Sequence, residues 1–131
     1  MNVTAPVTRA SGTVLLAEDD AGVRVLSKRI LERAGYRVLE AVDGDEAEKV
    51  FAQHADSIDV LVTDVVMPGC GGPELLRRLR HRAPAIKVLY ISGYTEQSAG
   101  QMMAMDRGAP FLQKPFTDHE LLRQVREVID R

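Results

Sequence analysis

From residue 13 onward, short apolar runs alternate with stretches in which apolar positions recur every three or four residues. Residues 13–18, 58–64 and 86–92 are nearly continuous in Val, Leu and Ile, the pattern of strands buried on both faces. Residues 36–41 alternate more, with Tyr36 and Val38 set against Arg37 and Glu40, which suits an outer strand. A fifth β-type run covers 109–113.

Helical patterns fill the gaps. Val23, Leu26, Ile30, Leu31 and Ala34 share one face, and Gly35 follows as a left-handed cap would. Asp43 with Glu46 reads as a capping box leading into Ala47, Val50 and Phe51. Gly72 and Pro73 open a third helix with Leu75, Leu76 and Leu79 inward. A fourth helix is expected over about 96–106. Its pattern is the weakest, with Gly100 inside and only Met102, Met103 and Met105 strongly apolar. Thr117 with Glu120 caps a fifth, whose inner face is Leu121, Leu122, Val125, Val128 and Ile129.

Five strands alternating with five helices predict an α/β fold: a parallel sheet covered on both faces, with right-handed crossovers. The common order for such a flavodoxin-like, doubly wound sheet is 2-1-3-4-5, with ligands bound beyond the carboxyl ends of strands 1 and 3.

The 131 residues give room for one core. Residues 1–12, rich in Thr, Ala, Pro, Ser and Gly, read as a flexible tail or linker, which leaves 13–131 as the domain. Apolar residues make up 45% and charged residues 27%, a soluble globular balance. A net charge of -2 argues against direct nucleic-acid binding. No apolar run approaches the roughly 20 residues that span a bilayer, so no membrane partner is expected. Cys70 is the single cysteine, which excludes an intramolecular disulfide and fits a cytoplasmic location.

The chemistry lies where the strands end. Strand 1 delivers Glu18, Asp19 and Asp20, strand 3 ends in Asp64, strand 4 in Ser92, and strand 5 runs into Lys114. Two carboxylates ~4 Å apart repel by about 4 kcal/mol at an effective dielectric near 20. Either one carboxyl keeps its proton or a cation sits among them. Oxygen ligands on an open crevice suit Mg2+. A metal-bound carboxylate beside a lysine can attack a phosphoryl group, with the lysine opposing the developing charge.

His54, His81 and His119 have no ligand spacing, and Cys70 lies in a Gly-rich loop with no sign of a redox role. Arg77, Arg78, Arg80, His81 and Arg82 read as the wet face of the third helix.

Four motifs together carry a family resemblance: Leu15-Leu16-Ala17-Glu18-Asp19-Asp20, Val62-Thr63-Asp64-Val65-Val66-Met67-Pro68-Gly69, Tyr90-Ile91-Ser92-Gly93-Tyr94 and Lys114-Pro115-Phe116. In this order and spacing, residues 13–131 resemble a bacterial response-regulator receiver domain of two-component systems. The resemblance implies that Asp64 is the phosphoacceptor. It implies that Glu18, Asp19, Asp64 and the Val66 backbone carbonyl hold Mg2+, that Lys114 contacts the phosphoryl group, and that the Lys114–Pro115 peptide bond is cis. Ser92 and Phe111 become the switch hydroxyl and switch aromatic.

The implied function is Mg2+-dependent phosphoryl transfer from a phosphohistidine, on a sensor histidine kinase or a histidine phosphotransfer protein, to Asp64. The surface of helix 4, strand 5 and helix 5 would then change. Such a chain is a signalling module that catalyses its own phosphorylation and dephosphorylation. Gly93-Tyr94-Thr95 and the stretch from Phe111 to Phe116 are most similar to receivers fused to sensor kinases, implying a hybrid histidine kinase. The acidic pair is Glu-Asp where Asp-Asp is commoner, and Phe111 replaces a frequent tyrosine. By the same resemblance, Val66 and Tyr94 would take the positions that flank the approach of a hydrolytic water.

Two other classes fit less well. A small hydrolase with an aspartyl-phosphate intermediate needs a second acid near its nucleophile, and Asp64 is followed by Val65 and Val66. An interaction module without phosphorylation has no use for the intact acidic, hydroxyl and lysine set.

Overall fold

The computed structural model describes residues 11–93 and 109–131. Its elements are β1 (Thr13–Ala17), α1 (Ala21–Ala34), β2 (Arg37–Ala41), α2 (Gly44–His54), β3 (Val60–Asp64), α3 (Gly72–Arg80), β4 (Lys87–Ser92), β5 (Phe111–Gln113) and α4 (Asp118–Asp130). The helix expected at 96–106, its methionines, and Tyr94 lie outside the described residues, so α4 here is the carboxyl-terminal helix. All strand pairs are parallel, in the order β2-β1-β3-β4-β5. This is the order expected from the sequence. β1 begins where its apolar run does, and the other four strands begin one or two residues later, the first residues of those runs belonging to the incoming loop.

Alternation along the strands divides the core between two faces. Leu15, Ala17 and Leu61 pack with Ala47, Phe51, Leu75, Leu76 and Leu79 from α2 and α3. Val14, Leu16, Val60 and Val62 pack with Ile30, Leu31, Leu121, Val125 and Val128 from α1 and α4. Each large aliphatic side chain so buried contributes roughly 1.5–3 kcal/mol relative to exposure. β2, at the edge, buries only Val38 and Ala41 fully.

Helix ends follow local chemistry. Asp20 caps α1 by accepting from Val23 N at 2.9 Å. Gly35 ends it at φ 112, a left-handed conformation that favours glycine. At α2, Asp43 accepts from Glu46 N, but the Glu46 carboxylate returns to Val42 N rather than to its cap residue. The Thr117–Glu120 box of α4 closes in both directions.

One inward position is corrected. Leu26 is 52% exposed, beside Val25 at 51%. The buried stripe of α1 runs through Ser27, Ile30 and Leu31, and 100° per residue puts Leu26 at its rim. Arg78 is likewise not merely wet: it joins Glu74 on its own helix to Glu48 on α2, at 3.1 and 3.2 Å.

The register brings Ala17 level with Thr63, Asp64 with Ile91, and Ser92 with Gln113. The residues at or just past the strand ends, Glu18, Asp64, Ser92 and Lys114, therefore line one edge. No helix among the described residues is long and apolar enough to cross a membrane.

Candidate functional site

At the end of β1, Glu18 N–H still bonds Ala41 O at 3.1 Å, and the chain then turns into α1. The turn is tied down repeatedly. Asp20 N–H donates to Glu18 Oε2 at 3.0 Å, and Arg24 Nη1 donates to Glu18 O at 2.8 Å. The Glu18 side chain is driven inward, leaving the residue 1% exposed, while Asp19 stays exposed.

Asp64 is also buried. Beyond it, Val65 N–H bonds Ile91 O at 2.9 Å, and Gly72 N–H bonds Val65 O at 2.9 Å. These bonds bring the start of α3 against the Asp64 backbone. A Cβ at Gly72 would lie 2.5 Å from Asp64 O, so only glycine fits there.

From the far side, Lys114 N–H bonds Ser92 O at 2.8 Å, and the Lys114–Pro115 bond is cis. The Lys114 ammonium stands 2.9 Å from Asp64 Oδ2 and 2.8 Å from Glu18 Oε1. The Asp64 contact is a well-aligned hydrogen bond, and the Glu18 contact is a close ion pair, so one ammonium serves both buried carboxylates.

Electrostatics follow from this burial. Loss of water pushes the Glu18 carboxyl up to about 7, against the opposing influence of Lys114. For Lys114, burial is the largest single influence and pulls its value down, but Glu18 and Asp64 together outweigh it and hold the ammonium above its ordinary value.

Glu18, Asp19 and Asp64 each offer a carboxylate oxygen, and these lie within 4.8 Å of one another. One lysine cannot neutralise three carboxylates, two of them buried. An all-oxygen donor set of this kind fits a hard divalent cation that keeps part of its water shell. Val66, half-buried, approaches the same place through its N–H, 3.4 Å from Asp64 Oδ1.

The structure thus brings Glu18, Asp19, Asp64 and Lys114 together. Ser92 is at the edge of the group but turned from it: its hydroxyl donates to Gly93 O at 2.7 Å. Phe111 is half-buried against the core on the α2 and α3 side and pairs with Tyr90. Asp20, the third acid after β1, stays outside the acidic cluster and caps α1. Sequence reasoning passed over Arg24, whose role depends on a backbone carbonyl that no side-chain pattern reports. It read Gly72 only as a helix start.

Residues 14–126 match the family described as the response regulator receiver domain. The chain is 40% identical over 121 residues to the Sensor kinase CckA of Brucella abortus (strain 2308). That match covers 92% of this chain and 13% of the kinase. It is similar in structure to a receiver domain from the Hybrid Histidine Kinase CckA, at 36% identity and a TM-score of 0.76, covering 90% of this chain and 99% of that one. It is also similar to a receiver domain protein from Clostridium thermocellum, at 30% identity and a TM-score of 0.81, covering 92% and 95%.

Proposed function

The chain belongs to the response regulator receiver domain family of two-component signalling, and from that premise we propose that Asp64 is its phosphoacceptor and Lys114 the cation that assists transfer. The observation that carries this reading is the Lys114 ammonium held 2.9 Å from Asp64 Oδ2 and 2.8 Å from Glu18 Oε1.

A phosphohistidine on a sensor kinase or phosphotransfer protein is the donor. An Asp64 carboxylate oxygen attacks phosphorus in line. The new P–O bond forms as the P–N bond breaks, and the imidazole leaves with the bonding pair and takes a proton. Asp64 Oδ2 is oriented by Lys114, while among the described residues Oδ1 has the longer, 3.4 Å contact from Val66 N–H and is the freer oxygen. The ammonium then stands beside charge that grows on the phosphoryl oxygens. Glu18, Asp19, Asp64 and the Val66 carbonyl would hold Mg2+, which supplies further positive charge against those oxygens. Attack by water on the aspartyl phosphate returns Asp64 and free phosphate, so the module resets itself.

Readout runs through Ser92 and Phe111 toward β5 and the surface beside it. The likeness to CckA supports a place in a hybrid histidine kinase.

The test is incubation with acetyl phosphate and Mg2+, followed by intact mass spectrometry. One phosphoryl group should add to the wild type and none to Asp64→Asn. A full adduct on that variant would move the nucleophile elsewhere.

A further inference from the structure

Three successive acids leave β1 in three directions. Glu18 goes inward to Lys114, Asp20 caps α1, and exposed Asp19 keeps an oxygen within 4.8 Å of oxygens on Glu18 and Asp64. A residue between two differently committed neighbours keeps such a position only if the peptide planes around it are fixed. The Glu18 carbonyl belongs to the planar unit that carries the Asp19 nitrogen. Whatever holds that carbonyl therefore sets the plane from which Asp19 departs.

The group that holds it is Arg24, through Nη1 at 2.8 Å. Arg24 is itself restrained. Its backbone N–H closes the first turn of α1 on Asp20 O at 2.9 Å. Its Nε lies 3.5 Å from Glu40 Oε1 on β2, and Lys28 takes the other Glu40 oxygen at 2.7 Å. The Arg24 side chain is 16% exposed. The guanidinium thus bridges α1, the end of β1 and the edge strand β2.

We propose that Arg24 is a positioning residue for the metal and phosphoryl site, acting through the Glu18 carbonyl to aim Asp19. The inference rests on the receiver reading above and extends it to a residue outside the acidic set. A lysine in its place would keep the charge. Its single ammonium cannot present a planar fork to the carbonyl and to Glu40 together.

The test is a calorimetric Mg2+ titration of wild type, Arg24→Lys, Arg24→Gln and Asp19→Asn, at a temperature where circular dichroism shows each folded. Both Arg24 variants should bind Mg2+ about tenfold more weakly than wild type, the lower end of what groups supporting metal ligands contribute. A purely structural role would lower the melting midpoint and leave the affinity of the folded protein unchanged. Wild-type affinity in Arg24→Lys therefore overturns the inference, whether or not Arg24→Gln folds: it leaves charge or stability as the only role. In metal-free protein, the Asp19 amide signal should also shift in Arg24→Lys, and an unmoved signal counts against positioning. Equal Mg2+ affinities in wild type and Asp19→Asn would instead sink the underlying site assignment, and this inference with it.

Discussion

Lys114 Nζ and Asp64 Oδ2 meet at 2.9 Å although 50 positions separate them in sequence. β5 delivers the lysine past β4, and β3 ends in the aspartate, so the sheet order alone makes the pair. The ammonium also faces Glu18, which makes it a counter-charge for two buried carboxylates. Lys114→Met should slow phosphorylation by acetyl phosphate by about a hundredfold, the scale seen when one preorganised donor is removed. Time-resolved mass spectrometry at saturating Mg2+ checks this. A rate close to wild type would leave Lys114 with a purely structural role.

At Gly72 the approach of α3 to the Asp64 backbone leaves no room for a side chain. Gly72→Ala should destabilise the fold by about 2 kcal/mol, as overpacking does. The urea midpoint should fall while the slope stays constant. An unchanged midpoint would mean that the helix start shifts freely.

Glu18 gives a pH dependence whose sign is fixed by burial. Its carboxyl is pushed up to about 7 in the folded chain, above the ordinary value near 4.5. Between those values the folded chain holds a proton that the unfolded chain has released. Stability of metal-free protein should therefore be greatest below about pH 4.5, as far as this group is concerned, and fall as pH rises through 7. Glu18→Gln should flatten that fall and exceed wild type by up to about 3 kcal/mol at pH 8. Urea unfolding in the presence of a chelator, at pH 5 and pH 8, provides the comparison. A wild type that gains stability over this range relative to Glu18→Gln would reverse the argument.

The sheet was legible because its strands are short, continuous and apolar, and because their polar ends, Glu18, Asp64 and Ser92, mark one edge. The capping pairs at Thr117 and Glu120 were legible because the motif is local. Leu26 was not, since helical periodicity locates a stripe but not its rim. Arg24 and Gly72 were not, because each acts on a backbone carbonyl brought near by topology. Ser92 was half legible: its place came from the strand end, but its hydroxyl direction depends on rotation about one bond and on the Gly93 carbonyl.

Ser92 Oγ donates to Gly93 O at 2.7 Å in a residue 1% exposed, so no water competes for it. A phosphoryl group on Asp64 adds strong, charged acceptor oxygens at the neighbouring strand end. A hydrogen bond to a charged acceptor contributes about 1.5–3 kcal/mol, against about 1 kcal/mol for the neutral bond it replaces. The difference is enough to turn the hydroxyl. Leaving Gly93 removes one restraint at the end of β4, while Lys114 N–H keeps β5 tied to Ser92 O. The disturbance should therefore pass along β4 and β5 to Phe111, whose ring has no hydroxyl to anchor either orientation. Adding beryllofluoride, a phosphoryl mimic, should shift amide signals at Gly93 and along Phe111–Gln113 in wild type. Ser92→Ala should still accept a phosphoryl group on Asp64, but its shifts should stay within the pocket. Equal shifts at Phe111 in both proteins would remove Ser92 from the route and leave Lys114, bonded to both sides, as the link to β5.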